Sequence, residues 1–169
     1  MENIILTGMP GCGKSTVGVI LAKTLGMDFI DTDLIIQIRE QDKLQNLVDK
    51  YGTDRFRVME EQALLSVTAR ENTVIATGGS AVFCEDGMEH LKENGICVYL
   101  EVSCEKLVKR LKNIKTRGIA AKKGMSVSDI FEERSPYYKK YADICIDCGD
   151  SSIEENIAKI IAAVSGEKG

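Results

Sequence analysis

Residues Gly8-Met9-Pro10-Gly11-Cys12-Gly13-Lys14-Ser15-Thr16 read G-x-x-x-x-G-K-[ST]. A short apolar, partly β-branched run, Asn3-Ile4-Ile5-Leu6-Thr7, stands directly before them. Behind them Val17, Ile20, Leu21 and Leu25 recur at helical spacing. A strand that feeds a glycine-rich loop and then a helix is the setting of a phosphate-binding loop, and it commits the chain to an α/β fold. The plainer alternative is a glycine-rich turn that matches by chance. The strand and helix on either side argue against it.

The residue types suit the chemistry. Glycines let the backbone wrap around phosphate oxygens where a β-carbon would collide. Unpaired N–H groups at the start of the following helix face the anion, and the helix dipole adds to them. Lys14 has the reach for the β- and γ-phosphates, and Ser15 offers a hydroxyl to Mg2+.

At 169 residues the chain suits one domain, 1–169, with a sizeable core. A formal net charge of −4 gives no general attraction to nucleic acid or to an anionic membrane, so any anion site must be local. Neither partner is expected. No apolar run approaches the length of a membrane span. Met1-Glu2 leads straight into the first strand without a basic, then apolar, leader, and a cytoplasmic location is expected. The six cysteines are expected as reduced thiols. Cys145 and Cys148 form a C-x-x-C, but Cys145 sits in a predicted strand, Asp143 to Asp147, and Cys148 at its end, where positions three apart point to opposite faces. No second pair or neighbouring histidine completes a zinc site.

Along the chain, Gly26 is a helix stop and Asp28 to Asp31 a second strand, ending in Asp31-Thr32-Asp33. A mostly helical insertion is expected over about 34–70. Leu34, Ile35 and Ile38 form its first face, and a polar break falls at Gln41-Asp42. A short helix through Leu44, Leu47 and Val48 closes at Gly52, and a long helix then carries Phe56, Met59, Ala63, Leu64 and Val67. Thr73 to Ala76 is a third strand, followed by a tight turn, Thr77-Gly78-Gly79-Ser80. A helix over Glu85 to Asn94, stopped by Gly95, leads to a fourth strand, Ile96 to Leu100. Ser103 caps the next helix. The basic, glycine-flanked stretch of about 112–124 reads as a mobile lid. A helix over Ser126 to Tyr141 is expected to break at Ser135-Pro136. After the fifth strand, Ser151-Ser152-Ile153-Glu154 fits a capping box for the last helix. The tail from Gly166 is expected to be disordered.

Strands alternating with helices predict a three-layer αβα fold around a parallel sheet, with the ligand outside the carboxyl ends of the strands. That rule gathers the phosphate-binding loop, Asp31, Asp33 and the Gly78-Gly79 turn. A carboxylate there can hold Mg2+ or take a proton from an attacking hydroxyl. Alternatively, Asp33 only caps the following helix. Arg57 and Arg134 have the shape to grip a planar carboxylate, or else Arg57 forms a surface ion pair with Glu60 or Glu61. Arg110 and Arg117 bracket the start of the basic loop, which could close over a nucleotide. His90 sits on a plain connecting helix and is expected to be exposed.

Taken together, these residues resemble the shikimate kinase family, a nucleoside-monophosphate-kinase-like P-loop group, over nearly the whole chain. The likeness rests on Gly8 to Thr16, the D-x-D at Asp31 and Asp33, Phe56-Arg57 with Glu60, Gly78-Gly79, Arg117, and Arg134-Ser135-Pro136-Tyr137-Tyr138. It implies five parallel strands in the order 2-3-1-4-5, and transfer of the ATP γ-phosphoryl group to the 3-hydroxyl of shikimate. The implied ATP site is Gly11, Cys12, Gly13, Lys14, Ser15 and Thr16 with Arg110, Arg117 and Asp150. The implied substrate site is Asp33, Arg57, Gly78, Gly79 and Arg134. Ser15 and Asp31 would serve Mg2+, and Asp33, Lys14, Arg117 and Asp31 the chemistry. A monomer is expected. Two positions depart from the family pattern: Ser80, often a third glycine, and Gly118, commonly proline. A gluconate kinase of the same fold, or a nucleotide-dependent regulatory protein without transfer, are the alternatives.

Overall fold

The computed structural model describes residues 1–112 and 119–166. Arg117, Gly118 and the tail after Gly166 lie outside the described residues, and with them the central part of the expected lid.

Five strands, β1 (Asn3–Thr7), β2 (Asp28–Asp31), β3 (Thr73–Ala76), β4 (Gly95–Glu101) and β5 (Ile144–Asp147), form one parallel sheet in the order β2-β3-β1-β4-β5. β1 lies at the centre, with Leu6 level with Ala76 on one side and Val98 on the other. Ile4, Ile5 and Leu6 are fully buried, as are Val74, Ile75, Cys97 and Val98. A strand covered on both faces has no polar side to show, and for this reason these segments read as unbroken apolar runs rather than alternating ones.

Two helical layers provide the cover. α1 (Lys14–Leu25) and α7 (Ile153–Gly166) pack together on one side. α3 (Leu44–Leu65), α4 (Glu85–Lys92) and α6 (Val127–Tyr141) form the other, joined at a 3-10 turn over Ala81–Phe83. α2 (Thr32–Glu40) packs on α3, and α5 (Cys104–Lys112) on α6. A smaller cluster of Ile36, Leu47, Val48, Phe56, Ala63 and Ala120 ties α2 and α3 to the segment before α6.

Several local expectations need correction. Leu34 and Ile38 are exposed, and Ile36 is the buried anchor of α2. Ile20 also faces outward, and Val17 and Leu21 carry the contact of α1 with the sheet. The break expected at Gly52 is present, by contrast: two helical stretches within α3 meet across a kink at Gly52, at φ 81° and ψ 171°. Gly95 opens β4 rather than stopping α4, which ends at Lys92. α6 runs through Pro136 without a break. The proline costs one hydrogen bond, to the carbonyl of the exposed residue Glu132, and the rest of the helix holds. α7 is capped by Ser152, whose Oγ accepts from the Glu155 N–H at 3.1 Å; Ser151 instead accepts from Lys159. His90 is tied by Nε2 to the Val67 carbonyl at 2.7 Å and is not free on the surface. The cysteines are all free, with Cys145 exposed and Cys148 buried. Among the described residues, no helix is long and apolar enough to cross a membrane.

Candidate active site

The carboxyl ends of β1, β2 and β3 meet at a cavity of about 230 Å³ lined by the phosphate-binding loop, Asp33, Thr77 and Gly79. Beside it, a cavity of about 420 Å³ is lined by Arg57, Phe83, Ala120, Lys122 and Arg134, among others. Gly79 marks where they adjoin. A β-carbon there would stand 2.8 Å from Pro10 Cδ and 3.0 Å from Arg134 Nη1. The backbone at that point is held from behind, because the Tyr138 hydroxyl donates to the Gly79 carbonyl.

Gly13 takes φ 95° at the head of α1, a left-handed conformation that side chains resist. The turn leaves the first N–H groups of α1 at the cavity. Lys14 is buried, and its ammonium donates to the carbonyls of Gly8 at 2.7 Å and Met9 at 3.1 Å. The lysine is therefore held inside the loop by two neutral acceptors, which an anionic phosphate outcompetes by charge. Cys12 is buried in the same loop with its Sγ 3.7 Å from Lys14 Nζ, while Ser15 and Thr16 face outward. Arg110 reaches from α5 to the Gly11 carbonyl at 3.1 Å. One turn earlier on α5, Lys106 pairs with Asp150, which brings the loop after β5 to the same side of the phosphate-binding loop.

Asp31 uses both carboxylate oxygens. Oδ1 accepts from the Asp33 N–H at 2.9 Å, and Oδ2 from Ser15 Oγ at 2.9 Å. Asp31 is thus the cap of α2, the role set as an alternative for Asp33. Asp33 is left half-buried at the cavity wall. Burial pushes its carboxyl up to about 6; the charge of Asp31 pushes the same way, and Lys14 opposes.

Arg134 is 2% exposed, and its Nη2 donates to the Ala120 carbonyl at 2.7 Å. Arg57 is more open. It stands 4.4 Å from the centre of the Phe83 ring, and Arg134 stands 5.7 Å from the same ring. The ion partner of Arg57 is Glu133 on α6 at 4.0 Å, not Glu60 or Glu61. Two guanidinium groups from α3 and α6 thereby converge on one cavity.

Sequence reasoning gave no role in the site to Glu60, Phe83 or Tyr138. Glu60 is 1% exposed and accepts from Ser80 Oγ at 2.6 Å. Burial, then the charge of Asp33, push it up to about 7, against Ser80, Arg134 and Arg57. The available signal was its position: Glu60 falls on the stripe of Phe56, Ala63 and Leu64, where an apolar residue is the rule.

The sequence profile described as shikimate kinase matches residues 10–165. The chain belongs to the shikimate kinase family. It is similar to the shikimate kinase of Caldanaerobacter subterraneus, 34% identical over 100% of this chain and 99% of that one. It is 36% identical to that of Thermodesulfovibrio yellowstonii over 95% of this chain and 94% of that one. The solved shikimate kinase of Acinetobacter baumannii in complex with shikimate superposes with a TM-score of 0.90, at 31% identity, over 99% of this chain and 95% of that one. Membership makes this chain an ATP-dependent phosphotransferase that acts on a hydroxyl group. The sheet order inferred from the resemblance is the observed one.

Proposed function

We propose that the chain transfers the γ-phosphoryl group of ATP to the 3-hydroxyl of shikimate, with the phosphates over Gly11 to Thr16 and the ring in the adjoining cavity. The observation that carries this reading is the adjacency itself. A phosphate cradle with one carboxylate, Asp33, opens beside a cavity that holds two guanidinium groups. An acceptor with a hydroxyl at one end and a carboxylate at the other suits both. Free thiols at all six cysteines suit a reducing cytoplasm.

Lys14 leaves the Gly8 and Met9 carbonyls for the β- and γ-phosphates, and Arg110 flanks the nucleotide. Gly78 and Gly79 carry the turn beneath the acceptor. Arg57 and Arg134 grip its carboxylate and thereby set the position of the far hydroxyl. Asp33 accepts that hydroxyl's proton as its oxygen attacks phosphorus and the bond to the leaving β-phosphate oxygen breaks. A carboxyl at about 6 is mostly ionised at neutral pH and is a better base than an ordinary aspartate.

Ser15 and Asp31 supply hard oxygen donors 2.9 Å apart. That set fits Mg2+, which keeps most of its waters and takes one or two protein oxygens besides phosphate. When bound, the ion neutralises charge on the β- and γ-oxygens.

The test is ADP release with Mg2+-ATP and a panel of hydroxy acids. Acceleration by shikimate and not by gluconate is expected. Acceleration by gluconate alone would make the chain a different kinase of this fold. No acceleration by any acceptor, with ATP bound, would leave a binding protein.

A further inference from the structure

Ser80 stands where the family often has glycine, yet nothing in its backbone requires glycine. Its φ is −100° and its ψ 1°, ordinary for any residue. It is 4% exposed and lines neither cavity. Its one hydroxyl proton is directed at Glu60 Oε1, at 2.6 Å. This is the hydrogen bond that the Glu60 side chain makes among the described residues.

The other oxygen of Glu60 faces the turn. A β-carbon on Gly78 would meet Glu60 Oε2 at 2.7 Å and Asp33 Oδ1 at 2.5 Å, so the two carboxylates crowd the same space beside one backbone position. Their charges repel, and burial strengthens the repulsion. Arg134 and Arg57 oppose it from a distance, but neither forms an ion pair with Glu60. A carboxylate in that position needs a hydrogen-bond donor to keep one rotamer, and Ser80 provides it.

We infer that Ser80 is a positioning residue: its hydroxyl fixes the buried Glu60 carboxylate so that Glu60 Oε2 and Asp33 Oδ1 meet beside Gly78 in one arrangement, which sets the acceptor side of the site. The inference rests on the proposed function only in taking Asp33 and Gly78 to face the acceptor. Ser80 itself touches no substrate. Its effect passes through Glu60, and the nucleotide side, built on Lys14 and Ser15, does not depend on it.

The experiment is a double-variant cycle on the full chain, with Ser80→Ala, Glu60→Leu and both together. Shikimate and ATP KM, kcat and thermal midpoint are measured for each. Ser80→Ala removes only the hydroxyl. It is expected to raise the shikimate KM about tenfold, the loss of one hydrogen bond to a charged group, with ATP KM and kcat within about twofold. In the Glu60→Leu background, which has no acceptor for the Ser80 hydroxyl, the same change should add less than about twofold. Ser80→Thr, which keeps the hydroxyl, should stay within about threefold of the natural chain. An unchanged shikimate KM in Ser80→Ala would overturn the inference. So would full multiplication of the two single effects, or a parallel rise of both KM values with a lowered midpoint. If the natural chain binds ATP but does not use shikimate, the functional reading fails instead, which the first measurement of the series reveals.

Discussion

Ser15 Oγ donates to Asp31 Oδ2 at 2.9 Å and so links the phosphate-binding loop to the end of β2. The same aspartate caps α2 through its other oxygen. The two roles separate by substitution. Asp31→Asn retains a good cap, so its thermal midpoint should stay near that of the natural chain. It loses the charge that favours a divalent cation, and the Mg2+ concentration for half-maximal activity should rise several-fold. Asp31→Ala should show the same Mg2+ shift and also lose about 1 kcal/mol of stability with the cap. A Mg2+ titration of activity beside a melt distinguishes the two variants. Equal Mg2+ dependence in the natural chain and both variants would remove Asp31 from the metal role.

Asp33 predicts an acid limb. Its carboxyl is raised to about 6, chiefly by burial, and it must be ionised to accept a proton. At limiting shikimate, kcat/KM should therefore fall as pH drops through about 6, tenfold per unit well below it. Asp33→Asn should lower kcat by about 10²–10⁴ and flatten that limb. A limb of unchanged midpoint in the variant would assign it to another group.

The carboxyl of Glu60 makes a separate claim about stability. Burial raises it from an ordinary 4.5 to about 7. A raised carboxyl binds its proton more tightly in the folded chain. Its contribution is whole below the unfolded value, and it is lost as pH climbs from about 4.5 through about 7. The loss is of order 3 kcal/mol. Denaturant unfolding of the ligand-free chain at pH 5 and pH 8 should show this decline reduced in Glu60→Gln. An identical pH difference in both chains would mean that Glu60 titrates normally.

Local signals carried most of what the sequence revealed. The phosphate-binding loop, the D-x-D and the strand runs are short-range patterns whose physics is fixed within a few residues, and the structure reproduces them. Burial of particular side chains was less legible. Leu34 and Ile38 suggest a face by spacing, yet α2 rests on Ile36, because α3 approaches from a direction that the spacing does not encode. Pro136 looked like a break because propensity counts the lost N–H and not the packing of Ile130, Arg134, Tyr138 and Tyr141 that holds α6 on both sides of it. Glu60, Ser80 and Tyr138 stood out only against the family pattern and Phe83 not at all, and their connections were not legible, since each acts through a partner at least 20 residues away.

Glycines at the turn should fail for reasons of space. In Gly78→Ala the new methyl group meets the carboxylates of Asp33 and Glu60, so the shikimate KM should rise by more than about tenfold while ATP KM holds. Gly87→Ala provides the contrast. Its methyl meets Leu64 Cδ1 at 2.7 Å and Cβ at 2.8 Å, away from either cavity. Overpacking of this kind costs about 1–3 kcal/mol and should lower the melting midpoint without shifting either KM at a permissive temperature. A shikimate KM that is normal in Gly78→Ala would separate the turn from the acceptor.

Arg57 and Arg134 share a cavity and the Phe83 ring, but their surroundings differ, and so should their variants. Arg57 is partly open to solvent, and its ion partner, Glu133, is equally open, so that pair adds little to stability. Arg57→Ala should raise the shikimate KM and leave the melting midpoint nearly unchanged. The substrate carboxylate keeps its charge from ground state to transition state, so kcat should change less than KM. Arg134 is buried, and its Nη2 holds the Ala120 carbonyl. Arg134→Ala leaves that acceptor without its donor and opens a space beside Phe83. It should raise the shikimate KM and also cost about 2–4 kcal/mol of stability. Lysine at either position restores the charge but not the two-pronged grip, so Arg57→Lys and Arg134→Lys should recover only part of the affinity. Steady-state kinetics at saturating ATP, paired with thermal melts, resolve all four variants. Equal losses of stability in Arg57→Ala and Arg134→Ala, or a kcat effect that exceeds the KM effect in Arg57→Ala, would contradict the assigned roles.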